Sequence, residues 1–191
     1  MKTSEDVKKL SNDSVKTELD WEIYQLQKKY LDYQLNIGKR AFEIISNNNN
    51  AQSEVRSIRR IQQRFWEIVD TLLEPTGKKI DREKNEMTFL NGKNVLSPYQ
   101  LSSGEKQMLV ILLTVLVQDC RDSILFMDEP EISLHFDWQR KLVQYIRELN
   151  SNVQIILATH SPAVVMEGWR DKVANVSDLI IPTHKSEVNA A

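Results

Sequence analysis

Cysteine is almost absent from this 191-residue chain, long apolar runs and an excess of one charge are missing, and each lack closes off a class of protein. The single cysteine, Cys120, has no partner for an internal disulfide, which excludes a disulfide-stapled extracellular domain and makes a reducing, cytoplasmic setting the expectation. No Cys/His pairing pattern surrounds it, so it is not a candidate nucleophile. No stretch approaches the roughly 18 consecutive apolar residues of a membrane span. The start, Met1-Lys2-Thr3-Ser4-Glu5-Asp6, lacks the apolar core of a secretory signal. The 25 Lys and Arg against 27 Asp and Glu leave a net charge of −2, so any contact with nucleic acid or membrane needs a local patch. What is present, 41% hydrophobic and 27% charged residues, is the balance of a globular chain.

Residues 1–75 read as a helical hairpin arm. Leu19, Ile23, Leu26, Tyr30, Tyr33 and Ile37 alternate at spacings of four and three, and Ala41 and Ile44 continue the stripe between charges such as Lys28, Lys29, Lys39 and Arg40. The run Asn47–Asn50 favours a turn. A second stripe follows at Val55, Ile58, Ile61, Phe65, Ile68 and Leu72, and Pro75-Thr76-Gly77 ends it. A helix over 15–46 would reach about 45–50 Å at 1.5 Å per residue. Arg56, Arg60 and Arg64 share one face of the second helix. They are expected to form a solvated face paired with Glu18, Glu22 and Asp32, with phosphate contact as the alternative.

In residues 76–191, Glu86–Leu90 and Lys93–Leu96 flank Asn91-Gly92 and predict a β-hairpin. Gly92-Lys93 is not a phosphate loop of the form G-x-x-x-x-G-K-[ST], because Met87 and Asn94 occupy the first glycine and hydroxyl positions. Nor does that pattern occur elsewhere in the chain. Gln100-Leu101-Ser102-Ser103-Gly104-Glu105-Lys106-Gln107 sets two serines and a glycine before an apolar helix over 105–118. That is a positively polarised helix start with free N–H groups, expected to be buried against a sheet. Ile124–Met127 predicts a central parallel strand with Asp128 and Glu129 at its carboxyl end, where open α/β sheets bind ligands. Paired acids there suit Mg²⁺ and a water-orienting base. An amphipathic helix over 136–150 and a strand over Val153–Leu157 complete a βαβ unit, which brings His160 beside Asp128 and Glu129. A further strand is expected at Leu179-Ile180-Ile181, followed by a polar tail from Thr183.

The segments Leu101-Ser102-Ser103-Gly104-Glu105, Ile124-Leu125-Phe126-Met127-Asp128-Glu129-Pro130 and Ala158-Thr159-His160-Ser161-Pro162, in that order, resemble the signature motif, Walker B strand and His switch of an ABC-type ATPase. Asp-Glu-Pro-Glu-Ile-Ser-Leu-His at 128–135 is similar to the OLD, RecF and SMC group, which acts in DNA maintenance and phage defence. His135 stands where transporter domains usually carry aspartate. The resemblance implies an α/β fold: the parallel-sheet core of a P-loop (ABC-type) NTPase half over 76–191, preceded by the helical arm. It implies ATP and Mg²⁺ as ligands. Ser102, Ser103 and Gly104 would touch the γ-phosphate of ATP held by an opposing subunit, Asp128 would position Mg²⁺, Glu129 would activate water, and His160 would contact the γ-phosphate. The implied partner is a second head in a head-to-tail dimer through ATP, with DNA as a further candidate and no membrane. The family keeps its Walker A loop upstream of the arm, so that half is expected in cis or in trans. Taken alone, these residues are expected neither to hold ATP tightly nor to hydrolyse it. The competing readings are half of a transporter ATPase, and a non-enzymatic dimerisation module with relic motifs.

Overall fold

The computed structural model describes residues 15–47, 51–166 and 168–179. Helix α1 spans Glu18–Asn47 and opens on a reciprocal cap: the Asp20 N–H donates to Thr17 Oγ1, and the Asp20 carboxylate accepts from the Thr17 and Lys16 N–H groups. Helix α2 spans Gln52–Leu73, and a 3₁₀ turn at Glu74–Thr76 ends on Gly77 at φ 69, the left-handed conformation that glycine tolerates. Asn48–Asn50, the centre of the expected asparagine turn, lie outside the described residues.

The two stripes meet as expected. Tyr30 sits against Phe65 at 6.2 Å between ring centroids and its hydroxyl accepts from Trp66 Nε1 at 3.0 Å, while Ile23, Phe65 and Ile68 are all but fully buried. Each such side chain contributes about 1.5–3 kcal/mol on burial. Much of α1 nevertheless lies along the rest of the molecule. Tyr33 and Ile37 belong to the common core, Arg40 bonds Asp119 at 2.9 Å, and Asp20 bonds Lys106 Nζ at 2.7 Å. The arm is therefore laid against its lobe rather than standing clear of it. Arg64 takes Glu67 and Glu148 as partners, not the first-helix acids expected for it.

After the arm come β1 (Lys78–Ile80), β2 (Phe89–Asn91) and β3 (Asn94–Leu96), an antiparallel sheet in the order β1-β2-β3. Asn91 pairs with Asn94, so the loop is Gly92-Lys93, one residue later than the Asn91-Gly92 expected. Among the described residues only Gly92 of that pair has positive φ, at 59, the arrangement of a type II′ turn. Helix α3 spans Ser103–Leu116, and helix α4 (Phe136–Leu149) crosses between β4 (Ser123–Asp128) and β5 (Val153–Ala158). β4 and β5 pair in parallel, with Asp128 opposite Ala158.

Two expectations about burial change. Helix α3 packs chiefly against α1, α2 and α4, so helices rather than a sheet bury its apolar surface. β4 is not covered on both sides: Leu125 and Met127 turn to the core, while Ile124 and Phe126, with Ile156 beside them, are exposed. The described residues end with short helices α5 (Pro162–Val165) and α6 (Val176–Leu179). Leu179 thus ends a helix instead of opening the expected strand, and Ile180 and Ile181 lie outside the described residues, as does the tail from Thr183.

Candidate functional site

The site grows from two backbone features. The first is the start of α3. Ser102 is its N-cap, with an extended backbone and a hydroxyl accepting from the Glu105 N–H, while Glu105 Oε2 accepts from the Ser102 N–H at 2.8 Å. Glu105 is buried and also accepts from Lys78 Nζ at 2.8 Å and Thr76 Oγ1 at 3.0 Å. Burial pushes its pKa up, but these bonds outweigh burial and hold the carboxyl below the usual range. Ser102 and Ser103 are exposed, as a ligand contact requires. Gly104 is buried with its Cα against the Ser133 carbonyl, and a Cβ there would overlap that oxygen. The glycine therefore has a packing reason of its own: it docks the start of α3 onto the loop that follows β4.

The second feature is the pair of strand ends. Asp128 is exposed at the last position of β4. Glu129 follows at φ 43, a left-handed conformation that costs a non-glycine residue energy, and its N–H donates to the Ala158 carbonyl at 2.8 Å. That bond extends the parallel ladder by one step and aims Glu129 across at the residues after β5. Its Oε1 lies 3.4 Å from Nε2 of His160, whose side chain is 92% exposed. The expected meeting of the acidic strand end and His160 is what the backbone produces.

A residue without an assigned role in the sequence reading holds this arrangement. Glu131, buried, accepts at Oε1 from Thr159 Oγ1 at 2.5 Å, the His160 N–H at 3.1 Å and the Ser161 N–H at 3.1 Å. Burial pushes its pKa up, yet the Thr159 hydroxyl and the backbone N–H groups hold it below the usual carboxylate range. Gln139 adds a brace: its Nε2 donates to the Leu134 carbonyl and its Oε1 accepts from the Ser161 hydroxyl at 2.6 Å. No spacing rule flags Glu131, because its donors lie 28 to 30 residues away. Glu105 did leave a signal: Ser102-x-x-Glu105 is a capping-box pattern. Cys120 is exposed, and burial of its sulfur together with the charge of Asp119 pushes the thiol up, the opposite of an activated nucleophile.

Asp128 and Glu129 offer hard carboxylate oxygens at an open strand end. That donor set suits Mg²⁺, which takes one or two carboxylates and completes its shell with water and phosphate oxygens. Among the described residues no three His, Cys, Asp or Glu side chains gather as a closed metal cage.

The carboxylates of Asp20, Glu105 and Glu131 all sit below their ordinary values. Groups depressed in the folded state stabilise it fully above their unfolded pKa, about 4 for such acids, and that contribution disappears as pH falls through the folded values. Urea midpoints are therefore expected to hold from neutral pH down to about pH 5 and to drop steeply below about pH 4. A Glu131→Gln, Glu105→Gln double variant should flatten the drop. An unchanged profile in that variant would refute the assignment.

The family described as "AAA domain, putative AbiEii toxin, Type IV TA system" matches residues 4–167. The chain is 27% identical to "Retron Vc95 probable ATPase" of Vibrio cholerae serotype O1 biovar El Tor, over 88% of this chain and 35% of that protein. It is also 27% identical to "Putative ABC transporter ATP-binding protein MG187 homolog" of Mycoplasma pneumoniae, over 95% of this chain and 29% of that protein. A structure titled "Crystal structure of the SmcHead bound to the C-winged helix domain of ScpA" superposes with a TM-score of 0.43 at 21% identity, over 61% of this chain and 40% of that one. The chain thus spans about a third of the length of the curated relatives it matches.

Proposed function

The chain belongs to this AAA-domain family of ABC/AAA-type ATPases, and from that premise we propose that it carries the water-activating half of an ATP hydrolysis site. The observation that supports this is the placement of Glu129 and His160 3.4 Å apart at the ends of adjacent parallel strands, with Asp128 beside them.

Glu129 orients and deprotonates the attacking water, and His160 donates toward the γ-phosphate. Asp128 would help to hold Mg²⁺, which when bound would supply positive charge to the phosphate oxygens. Ser102, Ser103 and Gly104 present hydroxyl and backbone N–H groups to the γ-phosphate of ATP held by an opposing head, so nucleotide bridges a head-to-tail dimer. The work is positioning and charge stabilisation of a loose phosphoryl transition state, which is why short polar side chains and N–H groups suffice. The Walker A loop that cradles the β- and γ-phosphates comes from outside these 191 residues, in cis or from a partner, and the chain alone holds ATP weakly. We place the complete protein in DNA maintenance or phage defence, in line with the retron relative and the toxin system named for the family. A second reading, half of a transporter ATPase, is favoured by the Mycoplasma relative. Co-purification with a permease would select it. No described helix is long and apolar enough to cross a membrane.

In protein completed by a Walker A half, Glu129→Gln should lower turnover by about 10²–10⁴-fold, retain ATP, and shift the protein to a nucleotide-bound dimer. Unchanged turnover and unchanged dimerisation together would remove Glu129 from the mechanism.

A further inference from the structure

Helix α1 carries two apolar seams, and only one is spent. The inner seam, Ile23 to Ala41, is buried against the rest of the molecule. The outer one is Leu31, Leu35, Gly38, Phe42 and Ile45, spaced four, three, four and three, the repeat of a coiled-coil seam. At about 100° per residue the outer seam lies roughly 115° round the helix from the inner one. All five positions are exposed, Phe42 to 72%, and nothing lies within 4 Å of where a Gly38 Cβ would stand.

We propose that this outer seam pairs with the same seam of a second copy of the chain, antiparallel, without nucleotide. The argument is self-complementarity about one point, as a two-fold interface requires. Place the axis between Leu35 and Gly38. Leu35 of each copy then fills the space over the second copy's Gly38, and Leu31 meets the second copy's Phe42, so a large side chain faces a gap in the centre with an apolar pair on either side, and Ile45 falls opposite the stem of Lys28. The charges follow the same symmetry. Asp32 and Lys39 flank the seam on its solvent side, one heptad apart, both exposed and neither in an ion pair among the described residues. In the antiparallel pair each Asp32 faces the second copy's Lys39, twice over. A parallel pair would set Asp32 and Lys39 opposite Gln27 and Gln34 and gain no ion pair. The pairing does not depend on the ATPase reading: it uses none of the residues of that site and forms with nucleotide absent.

The test is the mass of the nucleotide-free chain by sedimentation equilibrium. The parent is expected to be a concentration-dependent dimer. Leu35→Glu and Phe42→Glu should each give a monomer with unchanged helical circular dichroism, because both side chains are exposed and no core contact is lost. Lys39→Glu should weaken the dimer about tenfold by setting like charges together twice, as should Asp32→Lys, and the two combined should restore it. That restoration separates an antiparallel seam from general stickiness. A parent that is monomeric throughout, a dimer insensitive to Leu35→Glu and Phe42→Glu, or a charge swap that fails to restore association overturns the proposal. So does finding the seam covered by another segment when the chain is part of a longer protein.

Discussion

Replacing Glu131 with alanine should cost the fold about 2–4 kcal/mol and release the backbone that carries His160. One carboxylate oxygen gathers the Thr159 hydroxyl and the N–H groups of His160 and Ser161, and bonds to a charged acceptor are the stronger kind. Alanine strands the Thr159 hydroxyl and the His160 N–H and leaves the Ser161 N–H only Thr159 Oγ1, at 3.0 Å, in a place where Glu131 itself is only 9% exposed. The full sum of such losses is not expected, because the neighbouring His160 side chain stands in solvent and water can reach part of the vacated space. Glu131→Gln keeps an acceptor oxygen and should recover more than half of the loss. Urea unfolding at neutral pH gives the energy. Hydrogen exchange gives the specific readout: the His160 and Ser161 amides should lose protection in the alanine variant while α3 keeps its own. Stability within 0.5 kcal/mol of the parent would show that Glu131 holds nothing, since about that much scatter attends any surface substitution.

The second large effect belongs to Glu105. Its carboxylate closes the cap on Ser102, bonds Thr76 and pairs with Lys78, whose side chain is 15% exposed against 2% for Glu105. Removing one partner of a buried pair commonly costs about 3–5 kcal/mol, and loss of a cap about 1 kcal/mol. Lys78 lies near enough to the surface to turn outward, so about 3 kcal/mol is the expected total for Glu105→Ala. A double-mutant cycle separates the parts. Adding Lys78→Ala to Glu105→Ala should cost little more, because the charge left behind is gone. Strict additivity of the two single losses would refute the pairing. The same substitution loosens the start of α3, so any ligand contact through Ser102 and Ser103 should weaken with it.

Much of the site was legible from local pattern. The Ser102-to-Glu105 cap, the apolar run ending in Asp128 and Glu129, and the strand ending before His160 each depend on neighbours within a few residues, and parallel pairing then leaves little choice about where His160 falls. What escaped depends on distant partners. β1 is three residues long with no alternation of its own, and it exists because β2 supplies its ladder. Glu131 reads as an ordinary acid in a turn until its donors arrive from beyond β5. Arg64 found Glu148 on α4, since α2 and α4 pack together in a way no helical spacing announces. The open face of β4 was missed for the converse reason. A continuous apolar run reads as covered on both sides, yet among the described residues only the face with Leu125 and Met127 packs on the core, and Ile124 and Phe126 on the other are exposed.

The left-handed backbone at Glu129 and Ser133 sets a direction for any selection on thermal endurance alone. Glycine at either position would relieve strain of about 1 kcal/mol, so a library screened only for survival of heating should return Glu129→Gly and Ser133→Gly among its winners. The two would not be equal. Ser133 touches Gly104 through its carbonyl, which glycine keeps, whereas Glu129→Gly discards the carboxylate beside His160. Heat alone would thus select some descendants that lack the carboxylate proposed to activate water.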